Sequence, residues 1–140
     1  MRPASIVNFE RVVLLSIILG IVNTILIWDR LTAAMAVTGM GSNFVITVQA
    51  ITVALYLVLI WFISRRASNV ARWIYVVLAA IGLGFGLMGV GQVQALYGTI
   101  PLVITIAQYA LAIASLWLLF RSDANAWFRG ERPADPGVFS

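Results

Sequence analysis

Four stretches of this chain, residues 12–28, 44–63, 73–91 and 102–120, contain no Asp, Glu, Lys, Arg or His, and they run for 17, 20, 19 and 19 residues. At about 1.5 Å per helical residue, 19 residues reach roughly 28 Å, close to the ~30 Å hydrocarbon core of a bilayer. A soluble core helix of that length keeps a charged face toward water, and these runs have none. Charged residues make up 10% of the 140-residue chain and hydrophobic ones 62%, against about 25% charged in an ordinary soluble domain. The pattern predicts an all-α, four-helix transmembrane bundle in a single domain, residues 1–140. Its helices are placed at about 9–28, 44–63, 70–91 and 101–120, with a short interfacial segment at 122–129 that frays beyond Gly130, Pro133 and Pro136. Pro101 suits the first turn of the fourth span, and Ser5 is a candidate cap for the first. The stretch after the first span, up to Asn43, reads as the longest loop.

The same composition removes several chemistries. There is no cysteine and no histidine, so disulfides, thiol catalysis and the commonest metal ligand and general base are excluded. The five carboxylates lie at span ends or in the tail, where surface ion pairing is their ordinary role. No catalytic, cofactor or metal residue is assigned, and the expectation is a protein that is not an enzyme. A proton-coupled carrier keeps an ionisable group at membrane depth. The four-span small multidrug transporters place a glutamate inside their first span, whereas Glu10 precedes the apolar run here.

Gly84, Gly86 and Gly89 satisfy G-x-G-x-x-G, the spacing of a dinucleotide-binding turn. That turn needs a strand before it, a helix starting at it and an acidic residue about 20 positions later. Here the glycines sit inside a membrane-length run, and no Asp or Glu follows before Asp123. Nucleotide binding is not expected. Ala79, Gly82, Gly86 and Gly89 instead share one face of the third span, and Ser16, Gly20 and Thr24 form a similar stripe on the first. Small-residue faces let membrane helices approach closely. The two stripes are expected to pack on each other, within one chain or between copies.

Polar side chains inside the spans also fall on single faces. Asn23 and Thr24 lie on the first span, Gln49, Thr52 and Tyr56 on the second, and Thr105, Gln108 and Ser115 on the fourth. An amide facing lipid is costly, so these should turn inward, either as bonds between helices or as the wall of a polar path.

The nine basic residues are all arginine. Eight of them (Arg2, Arg11, Arg65, Arg66, Arg72, Arg121, Arg129 and Arg132) belong to one side of the predicted topology, and Arg30 alone to the other. The positive-inside rule puts both termini and the middle loop in the cytoplasm, with Trp28 at the outer interface and Trp61, Trp73 and Trp117 at the inner one. A sequence pI near 10.4 therefore reflects membrane orientation, and no nucleic-acid partner is expected. The first span reads as a retained helix. Its run exceeds a usual signal-peptide core, and Asp29 and Arg30 intervene before the cleavage-like Ala34-Met35-Ala36. R-x-A-S-x-V occurs before the first span and again before the third, which raises the option of two parallel-repeated hairpins.

The "RPASIVNFE" start, the four short spans and the "DANAWFRG" end resemble small, uncharacterised four-span inner-membrane proteins of bacteria. The resemblance implies a bacterial inner-membrane location and the architecture, and it carries no functional motif. The reading that follows is an accessory or structural membrane protein contacting lipid and partner helices, as a homo-oligomer or in a larger complex. The alternative is a small oligomeric transporter or channel for an uncharged solute.

Overall fold

The computed structural model describes residues 2–130. Six helices follow in order: α1 Ala4–Leu26, α2 Trp28–Val37, α3 Ser42–Arg66, α4 Asn69–Tyr97, α5 Thr99–Leu119 and α6 Ser122–Arg129. Four of them, α1, α3, α4 and α5, are long and apolar enough to cross a membrane. They form a four-helix bundle in which α1 packs on α5 and α3, and α4 packs on α5 and α3. The pairs α1/α4 and α3/α5 thus lie across the diagonals.

Several boundaries differ from the sequence reading. Helix α1 begins at Ala4, several residues before the charge-free run, because Arg2, Glu10 and Arg65 pair at its foot: Arg2 Nη1 reaches Glu10 Oε2 at 2.6 Å and Arg65 Nη2 reaches Glu10 Oε1 at 4.0 Å. Ser5 does not cap it. Ser5 lies inside α1, and its backbone N–H donates to Asp123 Oδ2 on α6 at 3.2 Å, so the cap comes from the other end of the chain. The supposed long loop after the first span contains helix α2, separated from α1 by a break at Ile27 (φ −102°, ψ 8°). One turn earlier the Thr24 hydroxyl donates to the Gly20 carbonyl at 3.0 Å, a back-bond that bends helices. Helix α4 continues to Tyr97 rather than stopping near Gly91. The 122–129 segment is helix α6, closed by Gly130 in the left-handed region (φ 71°). The expected fraying at Pro133 and Pro136 lies outside the described residues.

The connections are short. Ala67 turns α3 into α4 in the left-handed region (φ 48°), and the Ser68 hydroxyl caps α4 by accepting the Ala71 N–H at 3.2 Å. Ser5 and Ser68, matched in the R-x-A-S-x-V repeat, therefore do different local work. A single residue, Gly98 (φ 97°), joins α4 to α5.

Packing is concentrated at the arginine-rich end. Ile6, Phe9 and Val13 of α1 meet Leu59, Ile60 and Ile63 of α3, Ala71 and Tyr75 of α4, and Leu118 and Leu119 of α5. Helix α6 is clamped beneath them. The Arg72 guanidinium, 7% exposed, donates to Asn125 Oδ1 at 2.7 Å and lies 4.4 Å from the Phe120 ring and 4.8 Å from that of Phe128. Trp127 Nε1 donates to the Ile63 carbonyl at 3.3 Å. At the opposite end Arg30 Nη1 donates to the Leu96 carbonyl of α4 at 3.0 Å.

Candidate functional site, a polar chamber within the bundle

Above the arginine-end core the four long helices enclose a chamber of about 350 Å³. Helix α1 contributes Ser16 and Gly20, α3 contributes Gln49, Thr52 and Tyr56, α4 contributes Tyr75 and Gly82, and α5 contributes Thr105, Gln108 and Tyr109. All of these come from the middle of their helices or, on α4, from its first half. Toward the arginine-rich end the aromatic rings close the space. Tyr75 meets Phe9 edge-on with centroids 5.0 Å apart and Tyr56 at 5.8 Å, and its hydroxyl lies 2.6 Å from Ser115 Oγ.

The polar stripes read from spacing arrive at the chamber by different routes. Gln108 Nε2 donates to the Ser16 carbonyl across the α1–α5 seam at 3.3 Å. That reach is open because Gly20 has no side chain, and a Cβ there would come 3.0 Å from Gln108 Nε2. Thr24 Oγ1 gives its one proton mainly to the Gly20 carbonyl, which leaves a weak, shared contact to Gln49 Oε1 at a long 3.4 Å. Asn23 Nδ2 donates to Thr105 Oγ1 at 3.2 Å, and Thr105 in turn donates to the Pro101 carbonyl at 2.8 Å. Asn23 and Thr24 stand beside the chamber rather than on its wall. Gln49 and Gln108 bond different partners, not each other.

Among the described residues, the Thr52, Tyr56 and Tyr109 hydroxyls, Gln49 Nε2 and Gln108 Oε1 make no hydrogen bond inside the protein. The wall therefore offers several donors and at least one carbonyl acceptor, and it carries no Asp, Glu, Lys or Arg. Uncharged polar groups set in a mostly apolar, partly open cavity suit an uncharged molecule with a few hydrogen-bonding groups, and the volume falls in the range of small-molecule sites, about 300–1,000 Å³.

The glycine stripe needs correction within the chain. Helices α1 and α4 sit on a diagonal, so the Ser16–Gly20 face and Gly82 look at each other across the chamber and do not form a seam. A Cβ at Gly82 or Gly89 would meet nothing within 4 Å. Only Gly86 is crowded, and its neighbour is the Tyr109 ring of α5, which fills the notch left by the missing side chain. Gly82 thus contributes empty volume.

Tyr75 and Tyr109 were not singled out by the sequence. Tyr75 lies one turn before Ala79 on the glycine face, and Tyr109 one turn after Thr105, so extending either stripe by four residues reaches them. Comparison with known protein families, curated proteins and solved structures finds no match to the chain.

Proposed function

We propose that this membrane protein is a non-enzymatic binder or carrier of a small uncharged molecule, held by hydrogen bonds at mid-bilayer in the chamber between α1, α3, α4 and α5. The observation that carries the reading is the set of unpaired polar groups on an uncharged wall. Substrate sites of carriers commonly lie near the midplane, between helices. With the protein placed in a bacterial inner membrane, as its resemblance implies, the arginine distribution supports both termini lying in the cytoplasm, so the aromatic floor faces that side. The chamber has no group suited to acid–base or nucleophilic chemistry at neutral pH, which supports binding over catalysis.

The test is chemical. Protein purified from its own membrane in mild detergent should release, on organic extraction, one neutral compound in near-stoichiometric amount. Gly82→Leu, whose Cβ has open space and whose side chain would enter the chamber, should lose that compound and keep most of its thermal stability. An extract matching bulk lipid for both proteins would sink the reading.

A second reading, an accessory component that contacts partner helices or its own copies, draws support from the outer half of α4. There Phe85, Leu87 and Met88 are 75%, 61% and 84% exposed beside the open face of Gly89. Native pull-down from nanodiscs, with mass spectrometry of the captured proteins, tests it. A stoichiometric partner lost on Gly89→Leu would favour this second reading.

A further inference from the structure

Next to the chamber, an apolar groove of about 530 Å³ runs between α1 and α3, walled by Ile21, Ile25, Trp28, Ile46, Ala50 and Leu57. Gln49 and Val53 line both spaces. The polar side chains on the groove are Thr24 and Gln49, whose oxygens lie 3.4 Å apart on the boundary. Along α3 the groove extends from Val45 to Leu57, about 18 Å at 1.5 Å per residue, which suits an extended alkyl chain. A polar, uncharged chamber that shares a wall with a long apolar groove matches one kind of molecule.

We infer that a single uncharged lipid occupies both spaces, with a hydroxyl- or carbonyl-bearing head in the chamber and its hydrocarbon chain in the α1–α3 groove. The inference rests on the chamber reading above and specifies its ligand class. Gln49 sits at the junction: its Oε1 lies 3.4 Å from the Thr24 hydroxyl oxygen, while its Nε2 has no partner among the described residues and is available to a head-group oxygen. A phosphate- or amine-bearing head would enter a wall with no counter-charge, and burying an unpaired charge there is unfavourable. Charged lipids with the same chains are therefore excluded by their heads.

Trp28 on the groove wall provides the readout. The probes are a monoacylglycerol with a brominated chain and a phosphatidylglycerol with the same brominated chains, each titrated into nanodiscs of non-quenching lipid. The Trp28 signal is the fluorescence difference between wild type and Trp28→Phe. The expected result is half-maximal quenching by the monoacylglycerol at a mole fraction about ten-fold lower than for the charged lipid. Gln49→Leu should reduce that preference to below about two-fold. If Gln49→Leu fails to fold, Gln49→Met, which keeps the side-chain volume, gives the same comparison. Ala50→Phe should block the groove and abolish saturable quenching.

Equal quenching by both lipids would overturn the inference, because the groove would then hold bulk chains. So would a groove closed to both probes, with Ala50→Cys cross-linking copies of the protein, since a helix of a second copy would be the occupant. The chamber reading is judged separately. If Ala50→Phe still releases a small neutral compound on extraction, that reading survives the loss of this one. If no compound is released from any variant and quenching never saturates, both fail.

Discussion

Gly86 and Gly20 differ from the other glycines of the long helices in what a methyl group would meet. At Gly86 it would run into the Tyr109 ring, and at Gly20 it would crowd the Gln108 amide. At Gly82, Gly84 and Gly89 it would meet nothing. Alanine at those three positions should therefore be neutral or stabilising, by up to about 1 kcal/mol from helix propensity. Gly86→Ala should destabilise by about 1–3 kcal/mol, as overpacking does, and Gly20→Ala by less. Thermal unfolding in one detergent across the five variants checks the ranking. Asp123 is a second residue with a local task. Burial pushes its carboxyl up, but hydrogen bonds from Ser5 and from the backbone N–H groups of Ala124 and Asp123 outweigh that and hold it below the usual carboxylate range. The stabilisation it gives is present above the unfolded-state pKa of about 3.9 and is lost as pH falls through the lower folded-state value. With its side chain 39% exposed, Asp123→Asn should cost only about 0.5 kcal/mol near neutral pH. The difference between wild type and variant should shrink below about pH 4; a pH-independent difference would exclude carboxylate capping of α1.

Among the elements, α3 ends on the one residue other than glycine with positive φ among those described, Ala67 at 48°. A left-handed alanine costs about 1 kcal/mol relative to glycine, so Ala67→Gly should raise stability by about 0.5–1 kcal/mol, read from the unfolding midpoint. Helix α6 depends on Arg72. Removing the guanidinium between Phe120 and Phe128 should loosen α6, so Arg72→Ala is expected to speed limited proteolysis near Arg121 while the four spans stay folded. The spans were legible in the sequence because lipid solvation imposes long charge-free runs. Helix α2 was not, since ten residues that include Asp29, Arg30 and Thr32 give no membrane-length signal. The last turns of α4 were missed because Gln92 and Gln94 read as loop, although the backbone there still satisfies its own hydrogen bonds. Spacing put Gln49, Thr52 and Tyr56 on one face and Thr105 and Gln108 on another. That these faces enclose a chamber depends on which helices are neighbours, and single-helix periodicity carries no such information. The same ignorance of neighbours led the small-residue stripes of α1 and α4 to be paired when they lie diagonally.

For the molecule as a whole, the arginine count can be tested without background, since the chain has no cysteine. Cysteine at Ser42 should react with a membrane-impermeant maleimide from outside intact cells, and cysteine at Asn69 only after permeabilisation. Asn69 is exposed, and unlike its neighbour Ser68 it caps nothing. The reverse pattern would invert the assigned orientation. Helix α4 carries a further consequence. Its 29 residues span about 43 Å, while the 21 of α5 span about 32 Å. The surplus of α4 is polar, because its apolar run covers residues 73–91 and is flanked by Arg72 on one side and by Gln92 and Gln94 on the other. Its hydrocarbon match is therefore the same as that of α5, and its last turns extend past the apolar layer to headgroup level. There the Arg30 bond to the Leu96 carbonyl ties them to α2, so that end of the bundle carries a short helical rim standing above the lipid.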